Sequence, residues 1–112
     1  HSFPTRRSSD LGWGYHSSNP RSIGSTLSPT TPFSMSMASE MVKLLNKEID
    51  DDRKHFLVNT EKDTPNTFRQ YAKRNQINYI LIETTGQHGA QPLEIRNGQN
   101  QKILDYVLSK LY

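Results

Sequence analysis

The residue best suited to chemistry in this sequence is Glu83, which directly follows an unbroken apolar run, Tyr79–Ile82. Thr84, Thr85 and Gly86 come next and resemble the beginning of a turn. A short apolar run bounded by turn residues is typical of a strand buried on both faces in the middle of an α/β sheet. Open α/β sheets bind ligands in the crevice beyond their strand ends. Glu83 is therefore a candidate general base or acid, held in place by its strand.

A purely structural role for Glu83 is the competing interpretation. Its carboxylate could cap a turn or pair with Arg96 farther along the chain. In a catalytic role, partial burial would raise the pKa of Glu83, because burial disfavours the charged form and proton transfer near neutral pH requires such a shift. The residue types alone leave both roles open.

Other catalytic and metal-binding motifs are missing from the sequence. There is no Cys, which excludes disulfides, thiolate metal sites and Cys nucleophiles. None of the four histidines begins a His-x-x-Glu or His-Glu-x-x-His pattern, the helical arrangements that bind zinc. The sequence also contains no phosphate-binding P-loop and no Gly-x-Ser-x-Gly nucleophile elbow. The chain as given therefore carries no recognisable motif for zinc or for a serine nucleophile.

The composition indicates one small domain. The chain has 112 residues, and its periodic apolar pattern is confined to residues 33–112, so that only about 80 residues can pack into a core, which is marginal alone. The net charge is +3, and the densest charged run, Lys47–Lys54, is mixed in sign and typical of a solvated surface. No apolar run approaches the roughly 18–20 residues of a membrane span. We therefore predict neither a nucleic-acid partner nor a membrane span.

The elements that must position Glu83 are predicted to alternate between strands and helices. The predicted strands cover residues 23–27, 55–59 and 79–84, and the predicted helices cover residues 33–49, 65–76 and 99–111. The first strand is expected at an edge of the sheet. Alternation of this kind predicts an α/β fold, in which helices cover a mostly parallel or mixed sheet.

Apolar spacing marks the predicted buried face of each helix. These faces consist of Phe33, Met37, Met41, Leu44 and Leu45 in the first helix, Phe68, Tyr71 and Ala72 in the second, and Ile103, Leu104, Val107, Leu108 and Leu111 in the third. Thr31 and Pro32 are predicted to begin the first helix as N-cap and first residue. Residues 86–98 are predicted to form a polar loop, and loops of this length are often functional.

The first eleven residues, His1–Leu11, resemble the conceptual translation of a widely used short-read sequencing adapter. The alternative is a natural Ser/Arg-rich arm. On the adapter interpretation these residues do not belong to the protein, and the pair Arg6-Arg7 is no evidence for a nucleic-acid-binding tail. The protein sequence proper is then residues 12–112, a fragment of a longer gene product.

Residues 12–112 resemble the C-terminal part of zinc-carboxypeptidase-like hydrolases, the superfamily of metallocarboxypeptidases and the succinylglutamate desuccinylase/aspartoacylase deacylases. Ile80–Thr84 resembles the strand that ends in the catalytic Glu of this family. Gly12–Pro20 resembles the segment that follows its third zinc ligand, and the helix after Gly98 resembles its C-terminal helix. The resemblance implies a partial three-layer α/β sandwich with a mostly parallel or mixed sheet.

The same resemblance implies hydrolysis of a peptide or an N-acyl amino acid by a carboxypeptidase or amide deacylase. In such enzymes a zinc ion lowers the pKa of its bound water and polarises the carbonyl. The catalytic Glu, here Glu83, transfers the proton of that water to the leaving amine. The family's zinc ligands lie upstream, in a His-x-x-Glu pair and an Asp-Leu-His strand end. The parent protein is thus predicted to be an enzyme, whereas this chain by itself is expected to be inactive.

Three further residues are predicted to line the substrate pocket, namely Tyr15, His16 and Gln87. The alternative to an enzyme is a non-catalytic α/β binding or interaction domain, in which Glu83 has a structural role.

Overall fold

The computed structural model describes residues 24–60, 65–86 and 89–111. The elements in chain order are strand β1 (Thr26–Pro29), helix α1 (Pro32–Asn46), strand β2 (Leu57–Val58), helix α2 (Phe68–Arg74), strand β3 (Ile80–Glu83) and helix α3 (Leu93–Leu111). A single 3-10 turn precedes β2. The predicted alternation of strands and helices is confirmed, and with it the α/β class. The three-layer sandwich stays a prediction.

The three strands form one mixed sheet in the order β2-β1-β3. β1 runs parallel to β2, with Thr26 opposite Leu57, and antiparallel to β3, with Thr26 opposite Glu83. Within the described residues β1 is therefore the central strand and β3 an edge strand, whose residues Ile82 and Glu83 are exposed. The predicted edge position of the first strand and the central, doubly buried position of the third are both wrong.

β1 can occupy the centre of the sheet because buried hydroxyl groups within it and directly before it have hydrogen-bond partners. Ser25 Oγ accepts from the backbone N–H of Thr85 at 2.8 Å, and Ser28 Oγ accepts from Asn59 Nδ2 at 3.1 Å. Buried polar groups with partners cost little free energy. The sequence of β3 is more apolar than that of β1. A prediction based on apolar runs therefore placed β3 at the centre of the sheet and β1 at its edge.

The core lies where α1 covers the sheet. Leu27 and Phe56 are fully buried, and Met37, Met41 and Leu45 of α1 pack in the same cluster. The predicted role of the methionine stripe as core is confirmed. The predicted face was too wide, however, because two of its five residues, Phe33 and Leu44, are exposed.

Helix α1 begins as predicted and ends earlier than predicted. Thr31 Oγ1 accepts from the backbone N–H of Ser34 at 3.1 Å, and the Ser34 hydroxyl accepts from Thr31 N–H at 2.9 Å. This reciprocal capping box satisfies two donors at the helix start. The last helical residue is Asn46, whose side-chain amide bonds both the N–H and the C=O of Phe56. That side chain therefore ties the end of α1 to the chain just before β2.

Replacing Thr31 by Ala should lower the free energy of unfolding by about 1 kcal/mol, because the N-cap acceptor is lost. The measurement is the urea midpoint at an unchanged m-value. Thr31→Ser should keep most of the stability, and Ser36→Ala, at an exposed position inside the same helix, should be neutral or slightly stabilising. Equal losses for the Thr31 and Ser36 variants would contradict a capping role.

Helix α2 is shorter and more exposed than predicted. It begins at Phe68 with Thr67 as its N-cap, and Asn66 before it has a positive φ of 65°, which excludes the predicted start at residue 65. Ala72 is fully buried, but Phe68 and Tyr71 are more than half exposed. The predicted buried face of α2 is therefore wrong for both aromatic residues.

Helix α3 begins at Leu93, within the stretch predicted as a loop. Pro92 precedes it, and its carbonyl accepts from the N–H groups of Ile95 and Arg96. Gly98 lies inside this helix of 19 residues. A glycine destabilises a helix by about 1 kcal/mol relative to Ala, which is too little to end one of this length. The predicted buried stripe of α3 is largely wrong, because of its five residues only Ile103 is buried. Among the described residues, no helix combines the length and the apolarity that a membrane crossing requires.

Candidate functional site

Glu83 is the last residue of β3, at the predicted strand end. Because β3 is antiparallel to β1, Glu83 lies opposite Thr26, the first residue of β1. Glu83 therefore lies beside the N-terminal ends of the parallel strands β1 and β2, and their C-terminal ends lie at the other end of the sheet. The rule that places ligands beyond the carboxyl ends of parallel strands therefore does not apply to Glu83, and its candidacy depends on its own surroundings.

The surroundings of Glu83 combine access to water with partial burial. Its side chain is classed as exposed, yet desolvation by the neighbouring groups raises its pKa above the ordinary value of 4.5. A hydrogen bond with the side chain of Thr26 stabilises the carboxylate and offsets part of that rise. The result is a fixed carboxylate that exchanges protons with solvent at a higher pH than an ordinary Glu.

Buried hydrogen bonds hold the chain that follows Glu83. Thr85 N–H donates to Ser25 Oγ, and the Thr85 carbonyl accepts from Gln91 Nε2 at 3.0 Å. The amides of Gln91 and Gln99 bond each other reciprocally, at 2.8 and 3.3 Å. Ser25 lies directly before β1, Gln91 lies two residues before α3, and Gln99 lies within α3, so that three parts of the chain hold the segment after Glu83.

Arg96 lies close to this segment without pairing with Glu83. In the described part of the chain no ion pair joins Glu83 and Arg96. The alternative in which Glu83 pairs with Arg96 is therefore not found. The Arg96 guanidinium instead packs against Gly86, where an added Cβ would come within 2.7 Å of Arg96 Cζ. Its Nε atom is buried and has no hydrogen-bond partner among the described residues.

The other predicted site residues, Tyr15, His16 and Gln87, lie outside the described residues. Within residues 24–60, 65–86 and 89–111, no three His, Cys, Asp or Glu side chains come together in a group that could hold a metal ion. These residues therefore do not fit a zinc centre.

Two of the open grooves formed by the described residues border α3, and Glu83 lines neither of them. The larger, of about 540 Å³, lies between α1 and α3 and has an apolar floor that includes Met41, Leu45 and Ile103. The other, of about 470 Å³, lies between the end of α1 and the first half of α3. Neither groove forms a pocket around the candidate carboxylate.

Sequence reasoning missed most of the residues that support Glu83. Gln91 lies within the stretch predicted as a functional loop and Gln99 directly after it, and the density of long polar side chains in that stretch was the available indication. The support from Ser25 and Thr26 had no such indication, since both residues lie more than 50 positions before Glu83.

Comparison of the chain with family models, curated proteins and solved structures returned no match. Evidence on function therefore comes from the sequence and from the geometry around Glu83.

The raised pKa of Glu83 should make folding less favourable as the pH increases. The folded state binds the Glu83 proton more tightly than the unfolded state, so this contribution is fully present below pH 4.5 and is lost as the pH rises through the higher folded pKa. Urea unfolding across this pH range should show that the free energy of unfolding declines in the wild type and declines less in Glu83→Gln. The exposed-site control Glu94→Gln should follow the wild type. If the free energies of unfolding of the wild type and Glu83→Gln differed by the same amount at every pH, the raised pKa of Glu83 would be contradicted.

Proposed function

We propose that residues 12–112 are the C-terminal portion of a zinc-dependent hydrolase that cleaves the amide bond of a peptide or an N-acyl amino acid, as a carboxypeptidase or an amide deacylase. Glu83 is its general base and general acid. The observation that carries this proposal is a water-accessible carboxylate at a strand end, with a pKa raised by partial burial and a hydrogen bond to Thr26. A raised pKa is the direction of shift that general acid–base catalysis by a carboxyl group needs.

Glu83 has two tasks in such a reaction. Its carboxylate removes a proton from the water that attacks the amide carbonyl, and its carboxylic acid then donates that proton to the leaving nitrogen. The raised pKa serves both tasks, because it makes the carboxylate a stronger base and keeps the acid form available at higher pH. The buried hydrogen bond from Thr85 to Ser25 supports both tasks by fixing the chain beside Glu83.

We assign the zinc to residues of the parent protein upstream of Gly12, which this chain lacks, as the family resemblance implies. The described residues do not fit a metal centre. Their proposed share of the chemistry is limited to positioning and to proton transfer by Glu83.

Sequencing the gene across the region encoding residues 1–11 provides the first test. We expect the adapter-like segment to be replaced by a sequence with a His within a few residues upstream of Gly12 and a His-x-x-Glu pair farther upstream. The protein encoded by that reading frame should contain zinc and hydrolyse a peptide or an N-acyl amino acid. An uninterrupted reading frame that lacks both motifs would contradict the proposal.

A non-catalytic interaction domain is the second candidate, and the exposed apolar face of α3 favours it. Leu104, Leu108 and Leu111 are each about half exposed and share one face of the helix by their spacing. Exposed apolar patches of this kind mark interaction surfaces. This candidate predicts that the full-length protein has no amide hydrolase activity, and that Glu83→Gln changes stability alone.

A further inference from the structure

The surface between α1 and α3 carries a long groove that the chemistry at Glu83 does not use. The two grooves beside α3 have lining residues in common, so they are continuous, and together they are called the α1–α3 groove below. It follows α3 from Ile95 to Ser109, about 21 Å along the helix axis. Its apolar lining consists of Met41, Leu44, Leu45, Ile49, Ile95 and Ile103, with Ala90 and Pro92 at one end.

Part of this apolar lining is open to solvent. Leu44 of α1 and Ile95 of α3 are each about half exposed, whereas Met41, Leu45 and Ile103 are buried in the core. The groove therefore extends the core to the surface, and covering it would remove further apolar area from water. Exposed apolar patches with polar residues at their rim mark interaction sites.

Gly98 is a residue of this groove that the fold itself does not require. It lies in the interior of α3, where glycine is less favourable than alanine because it loses more backbone freedom on folding. A Cβ at this position would meet no atom of the described residues within 4 Å, so packing within that part of the chain does not explain the glycine. Close approach of another helix explains it, because the distance between packed helices depends on the side chains at their contact.

The charges that line the groove indicate the chemistry of its occupant. The end beside the beginning of α3 is lined by four carboxylates and only two ammonium groups. Lys102 forms an ion pair with Glu48. Asp50 is exposed and has no ion pair within the described part of the chain. This end of the groove is therefore negatively charged, and cationic side chains complement it.

We propose that the α1–α3 groove binds a cationic amphipathic helix of a partner protein, which packs as a third helix against α1 and α3. Such a helix lays its apolar face in a groove of this kind, here on Leu44 and Ile95, and Gly98 allows its backbone to approach α3. Lysine or arginine residues beside that face reach Asp50 at the acidic end. A helix of about 15 residues has the length of the groove. This interaction does not depend on hydrolysis at Glu83.

The test is the fluorescence anisotropy of a labelled amphipathic peptide of Leu and Lys, about 15 residues long, titrated with the 112-residue chain. We expect saturable binding that weakens as salt is added, because ions screen exposed charges. A peptide with Glu in place of every Lys should bind at least roughly tenfold more weakly. Asp50→Lys should weaken binding of the Lys peptide and strengthen binding of the Glu peptide. Equal affinities for the two peptides, or no binding of the Lys peptide, would overturn the proposal.

Gly98→Leu fills the groove without removing a contact of the fold. The urea midpoint should be equal to or higher than that of the wild type, because Leu is the better helix former and its Cβ meets open space. Affinity for the Lys peptide should nevertheless fall at least roughly tenfold, since the added side chain occupies the place of the partner helix. If Gly98→Leu does not fold, Asp50→Lys still decides the question.

Leu104→Gln is the matched control on the same helix. Leu104 is half exposed and does not line the α1–α3 groove, so this variant should bind the Lys peptide like the wild type. Binding lost in Leu104→Gln and retained in Gly98→Leu would place the peptide on the leucine face of α3 and overturn the proposal.

Sedimentation equilibrium of the chain alone distinguishes a partner helix from a second copy of the chain. We expect monomers for both the wild type and Gly98→Leu at the concentrations of the peptide titration. A wild-type dimer that Gly98→Leu converts to monomers would assign the groove to a second copy and overturn the proposal.

Discussion

For the proposed hydrolase, Glu83→Gln should lower the kcat of the full-length protein by roughly 10²–10⁴-fold, the usual contribution of a general base or acid. The amide side chain has nearly the shape of the carboxylate but can neither accept nor return the proton of the attacking water. The KM should change far less than kcat, because Glu83 acts on the reacting atoms rather than on the remote parts of the substrate. The measurement is steady-state hydrolysis of an N-acyl amino acid and of a peptide with a free carboxylate.

Two controls accompany this experiment. The zinc content of Glu83→Gln should equal that of the wild type, because Glu83 is not proposed as a ligand. Glu94→Gln removes an exposed carboxylate from the first turn of α3 and should leave kcat unchanged. Activity retained by Glu83→Gln would remove this residue from the mechanism and favour the interaction-domain alternative.

Arg69→Met should lower the free energy of unfolding by about 2–6 kcal/mol, a large fraction of the 5–15 kcal/mol typical of a domain. Arg69 is 8% exposed, and its guanidinium donates to the carbonyls of Ser28, Pro29 and Asn59 at 3.3, 2.9 and 3.4 Å. Two of these carbonyls belong to the last two residues of β1, and the third belongs to the residue directly after β2. Met fills similar space without any donor, so the buried carbonyls of Ser28 and Pro29 each lose a hydrogen bond, at a cost of about 1–3 kcal/mol.

Urea unfolding measures this loss, with Arg74→Met as the matched control. Arg74 lies at the exposed end of the same helix α2, and its replacement should change stability by no more than about 0.5 kcal/mol. Arg69→Lys should be intermediate, because a single ammonium group cannot reach three carbonyls in a fixed geometry. A loss below 1 kcal/mol for Arg69→Met would show that water replaces the guanidinium at these carbonyls.

The sequence alone determined the local features of this fold. The Thr31 cap, the Met37 and Met41 stripe and the position of Glu83 at a strand end were all predicted correctly. These features depend on hydrogen bonds and side-chain spacing within about four residues, which a local pattern records directly. The alternation of strands and helices, and the α/β class that follows from it, come from the same local information.

Only the tertiary structure decided which strand is central, which way β3 runs and what supports Glu83. The hydrogen bond from Thr85 to Ser25 joins residues 60 positions apart, and Arg69 reaches across 41 positions to the carbonyl of Ser28. Partners at such separations are set by the packing of whole elements, and no local period of 2.0 or 3.6 residues encodes them. A strand of polar residues could therefore become the centre of the sheet, and the most apolar strand its edge.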